Sequence, residues 1–104
     1  MGNKNPIPTS RYPRPEKLDE WIAALRSGEW VQCRHRVSNT AKTAYCCLGV
    51  LCKLHGDEPA YTGKTWEANH IDKNLASRCI KWNDKARLSF PEIADKLEEL
   101  FNGH

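Results

Sequence analysis

The chain has 104 residues, 39% of them hydrophobic and 28% charged, with a net charge of +3 at pH 7. That length suits one domain, burying about two-thirds of its unfolded surface without covalent staples. So small a charge, divided along the chain, excludes a general nucleic-acid binder, and no run approaches the roughly 20 apolar residues of a membrane span.

Residues 1–15 carry four prolines and several basic groups, Lys4, Arg11 and Arg14 among them. They read as a flexible or extended arm, with residues 16–104 forming a single globular domain. The arm lacks the apolar core of a secretory signal, and Pro6 stands where a myristoylation motif requires Ser or Thr. A cytoplasmic protein is expected.

Residues 17–27 predict an amphipathic helix. Leu18, Trp21, Ile22 and Leu25 recur at i, i+3, i+4 and i+7, with Glu16, Asp19, Glu20 and Arg26 outside, and Gly28 stops it. From Trp30 to Val37 the period changes. Val31, Cys33, His35 and Val37 alternate with Gln32, Arg34 and Arg36, the pattern of a half-buried strand. Residues 38–42 form a turn, and Thr43–Tyr45 is expected to return as the second strand of a short hairpin.

Ala44 to Cys52 is the longest apolar run, and no helical or strand period gives it a wet face. With the turn Lys53-Leu54-His55 and Gly56 as C′ residue, it predicts a buried central helix. Residues 57–69 read as a loop carrying Tyr61, Lys64 and Trp66. Asp72 is a plausible N-cap for a helix over 73–82, with Ile71, Leu75, Cys79 and Trp82 inward. Residues 83–87 read as a turn. Ser89 and Glu92 make a capping box for a last helix striped by Phe90, Ile93, Ala94, Leu97, Leu100 and Phe101. The expected fold is α+β and mostly helical, about four helices around the buried one with one short β-hairpin.

Three stretches resemble a family of small phage and prophage proteins: Ala24-Leu25-Arg26-Ser27-Gly28-Glu29-Trp30, the run Tyr45–Cys52, and Trp82-Asn83-Asp84 followed by Ser89-Phe90-Pro91-Glu92-Ile93-Ala94-Asp95. The chain departs from that pattern at Trp82, where leucine is expected, and in the turn at 85–87, which lacks the usual glycine. The resemblance implies a phage accessory gene acting in the cytoplasm of an infected bacterium. It implies no established activity.

Three constellations bear on chemistry. Cys46 or Cys47 at a strand-to-helix junction, with His35 as base and His70 or Asp72 as orienter, would suit a cysteine nucleophile. Their apolar surroundings argue instead for inert thiols. The five cysteines are odd in number, and with no secretory signal they are expected reduced. Cys52 and His55 share a helical face and could be joined at zinc by Cys33, His35 and Cys79, but a structural zinc site shows two tight ligand pairs. The third constellation is electrostatic. No acid lies between Glu29 and Asp57, an interval that holds Arg34, Arg36, Lys42 and Lys53. Arg34 and Arg36, two apart on a strand, point the same way, beside Trp30. Lys64 and Trp66 supply a further cation and stacking plane.

The function expected is therefore that of a non-enzymatic phage accessory binder that counters host defence. It would act as a sponge for a nucleotide second messenger or as a direct inhibitor of a host protein. The expected ligand-binding set is Trp30, Arg34, Arg36, Lys64 and Trp66, with no cofactor, no metal, no membrane contact and room for homo-oligomerisation. The alternative is a small cysteine enzyme or a zinc-binding module.

Overall fold

The computed structural model describes residues 12–35, 43–56 and 71–102. Its elements are α1 (Leu18–Arg26), α2 (Cys47–Leu54), α3 (Lys73–Ile80) continued by a π-helical turn (Lys81–Lys85), and α4 (Phe90–Asn102). Each helix forms where apolar spacing and end signals agree. In α1 the four expected positions, Leu18, Trp21, Ile22 and Leu25, are buried. Gly28 takes φ +80° just past its end, and Gly56 takes φ +84° past α2, both left-handed positions that suit glycine. The Asp72 carboxylate accepts from the N–H groups of Asn74 and Leu75 at the start of α3. The capping box is closed in both directions, Ser89 N–H to Glu92 Oε1 at 2.8 Å and Glu92 N–H to Ser89 Oγ at 3.3 Å.

The core is assembled around α2, in which Cys47 to Cys52 are all buried. This helix bridges α1 and α3, while α1 packs most extensively on α4. Trp21, fully buried, donates its indole N–H to the Cys47 carbonyl at 2.9 Å, so a polar bond joins α1 to the start of α2 inside the core. Leu75, Ala76 and Cys79 close the core from α3, and Phe90, Ile93, Ala94 and Leu97 from α4. Among the described residues no helix is long and apolar enough to cross a membrane.

Two expectations are corrected. The first is the hairpin. Among the described residues there is no β-strand, and the pairing between the two stretches is a single parallel bridge, Gln32 with Tyr45. It consists of Cys33 N–H to Tyr45 O and Tyr45 N–H to Val31 O. A two-residue turn joins antiparallel strands, whereas parallel pairing needs a crossover of a dozen or so residues, and the segment between Cys33 and Tyr45 is of that length. The expected inside and outside are also exchanged in part, Cys33 staying half-buried as expected. Val31 is 62% exposed, while Gln32 and Arg34 are half-buried. The polar residues turn inward because their partners are carbonyls at the end of α3, and His35, at φ +72°, ends the extended stretch.

The second correction concerns residues 83–87, read as a turn. Lys81–Lys85 instead continue α3 with π geometry, Ala86 N–H reaching back five residues to Lys81 O at 2.8 Å. The chain then turns at Arg87, whose φ of +57° is left-handed. That is the conformation glycine adopts freely.

Candidate functional site

Arg34 is the part of the expected site that the described residues place with most detail. Its Nε donates to the Asn83 carbonyl at 2.9 Å, and its Nη2 to the carbonyls of Arg87 and Leu88 at 3.2 and 3.4 Å. These acceptors lie in and just beyond the π turn, where helical carbonyls run out of intrahelical donors. A cation at a helix C-terminus is also favoured by the dipole. One edge of the guanidinium fork is therefore engaged by backbone.

Around it lies a network that the residue pattern did not disclose. Asn83 is fully buried. Its Oδ1 accepts from Gln32 Nε2 at 2.8 Å, and its Nδ2 donates to the Cys33 carbonyl at 2.9 Å and to Asp84 Oδ1 at 2.8 Å. Gln32 Nε2 also reaches the Leu88 carbonyl at 2.8 Å. Asp84 Oδ1 accepts the N–H of His35 at 2.8 Å, which holds that residue in its left-handed conformation. Trp30 is half-buried and meets Tyr45 edge-on, centroids 5.6 Å apart. Trp30 and Arg34 thus lie on the side of their segment that packs on the domain, while Arg36, Lys64 and Trp66 fall outside the described residues.

The thiols are set by burial. None of the five cysteines is in a disulfide; Cys33 is half-buried and Cys46, Cys47, Cys52 and Cys79 are buried. Desolvation, then the neighbouring Cys47, pushes the Cys46 thiol far above its ordinary range, although it caps α2. Cys47 is raised too, first by its hydrogen bond with Cys79 and then by burial. Its Sγ also lies 3.7 Å from the Cys79 carbonyl. Thiols held protonated in this way are poor nucleophiles and poor metal ligands. Among the described residues no three His, Cys, Asp or Glu side chains converge as metal ligands would.

A different concavity lies on the outer face of α3. Tyr12, Asn74, Ser77, Arg78, Lys81 and Trp82 line an open groove of about 450 Å³. The positions on α3 and its continuation fall at i, i+3, i+4, i+7 and i+8, one helical face, flanked by the buried Leu75 and Cys79. The Arg78 guanidinium lies over the Trp82 ring, 5.6 Å from its centroid, and its Nη1 donates to Tyr12 Oη at 3.4 Å. The same spacing was legible in the residues. It was obscured by assigning Trp82 to the inner face, whereas Trp82 is half-buried and borders both core and groove.

Comparison with known proteins adds a family and nothing further. No curated protein and no solved structure matches the chain. One family model does, a domain of unknown function, and its match runs from Arg14 to Cys79, taking in α1, α2 and nearly all of α3. Spanning well over half of the sequence, that match shows that the chain belongs to the domain family DUF8296.

Proposed function

We propose that this domain is a non-enzymatic binder of a phosphate-bearing small molecule. In the phage setting suggested by its sequence motifs, it would withdraw a nucleotide signal from host defence. The observation that carries this reading is the division of charge. Arg14, Lys17 and Arg26 are each paired with carboxylates of α1 or α4. Lys73, Arg78, Lys81, Lys85 and Arg87, on α3, its extension and the turn that follows, pair with no described carboxylate. Asp84, the acid within that stretch, is turned to His35 N–H and Asn83. A cationic side with aromatic surface attracts a compact polyanion more than it attracts a neutral ligand. The raised thiols of Cys46 and Cys47 favour binding over cysteine chemistry.

A thermal-shift screen against linear and cyclic nucleotides, inorganic pyrophosphate and sugar phosphates tests the reading. A ligand at 100 times its dissociation constant adds about 2.7 kcal/mol to stability, a rise of several degrees for a domain of this size. Silence across the screen, together with a host protein co-purifying at stoichiometric yield, would replace the sponge by a direct protein inhibitor.

A further inference from the structure

We infer that the α3 groove is the seat of the phosphate, with Arg78 and Lys81 as its charge-bearing contacts. The inference rests on the proposed phosphate-binding function and gives it an address. Four observations converge. First, Arg78 is held before any ligand arrives. The guanidinium lies over the Trp82 ring and one of its N–H groups is taken by Tyr12 Oη, which leaves the remaining donors of the fork to the groove. Second, Lys81 stands one helical turn further along the same face, so two cations flank one space and match the double charge of a terminal phosphate.

Third, Ser77 and Asn74 add neutral donors between and behind the cations, and among the described residues no carboxylate lines the groove. Fourth, its volume of about 450 Å³ exceeds what inorganic phosphate needs and falls in the range of small-molecule sites, about 300–1,000 Å³. Size and charge together point to a phosphorylated molecule of roughly mononucleotide size. Arg34, by comparison, has one fork edge already engaged by backbone carbonyls.

The test is titration calorimetry with AMP and pyrophosphate on three full-length proteins. These are the unaltered chain, the double variant Arg78→Ala/Lys81→Ala, and the charge-matched control Lys17→Ala/Lys96→Ala. Arg78 and Lys81 are exposed, so the double variant should melt with the unaltered chain when no ligand is present. We expect AMP to bind the unaltered chain and the control alike, and the double variant to lose about 100-fold or more in affinity. Undiminished binding by the double variant would overturn the inference while leaving a phosphate-binding domain with its site elsewhere. An equal loss in the control would also overturn it, reducing the effect to net charge. Failure of both probes to bind the unaltered chain at millimolar concentration would also overturn the inference, and silence across the wider nucleotide and sugar-phosphate screen would remove the function with it.

Discussion

Asn83 is the buried polar side chain of the described core, and its amide accepts one hydrogen bond and donates two. Removing it takes the Asn83 donor from the Cys33 carbonyl and leaves the Gln32 amide with the Leu88 carbonyl but not the Asn83 oxygen. Asn83→Ala should therefore cost about 1–3 kcal/mol, read as a lower urea midpoint at unchanged slope. Asn83→Asp should cost more, because it turns a donor into an acceptor facing the Cys33 carbonyl and places a second carboxylate beside Asp84. Arg87 offers the opposite case. At φ +57° a side chain is strained by about 1–2 kcal/mol, so Arg87→Gly should stabilise by about 0.5–1 kcal/mol after glycine's own entropic cost. A lower midpoint for that variant would show that the strain is absent.

The thiols give a pH dependence with a definite sign. Cys46 and Cys47 are raised in the folded state above their ordinary value of 9.0, Cys46 by desolvation and Cys47 by its bond to Cys79 and by burial. The folded chain thus holds these protons more tightly than the unfolded chain. Their contribution is complete below about pH 9 and is lost as the pH climbs from there toward the folded values. Urea midpoints should fall between pH 9 and 10.5, and more steeply than in a Cys46→Ala/Cys47→Ala variant. Parallel slopes would contradict the assignment.

At the scale of the elements, apolar packing carries the assembly and ion pairs contribute little. Leu51 of α2 is buried on all sides, so Leu51→Ala should cost about 2–5 kcal/mol. Arg26 joins α1 to α4 through Asp95 and Glu98 at 2.8 and 2.9 Å, bonds that raise its pKa, Asp95 foremost. Its side chain is 41% exposed, however, and such pairs are worth less than about 1 kcal/mol. Arg26→Ala should shift the melting midpoint slightly, and the shift should vanish at high salt. The four helices were legible because periodicity and end signals coincide: the α1 stripe, the unbroken run of α2, Asp72, and the Ser89–Glu92 box. The segment 30–35 was misread for a physical reason. Alternation locates two faces without saying which is buried, and here the polar face found carbonyl partners some fifty residues away.

For the whole molecule, the division into an acid-balanced α1–α4 side and a cationic α3 side was only half visible in the residues. Composition showed the acidic last helix. The basic face of α3 was hidden because its cations are interleaved with Leu75, Ala76 and Cys79 and separate only once wound into a helix. The family match ends at Cys79, ahead of the π turn that supplies carbonyls to Arg34 and Gln32. That turn has a consequence for how the gene tolerates change. Five residues occupy a width that an ordinary helix fills with fewer, which seats Asn83 inward while Trp82 keeps its place at the groove. The exposed Lys81 and Lys85 should accept substitution freely as far as folding is concerned. The count of residues between Cys79 and Leu88 should not be free. In a library of single-codon deletions, losses within 81–85 should lower the yield of soluble protein, because the turn would tighten to ordinary helix and Asn83 would lose the inward position that its hydrogen bonds require.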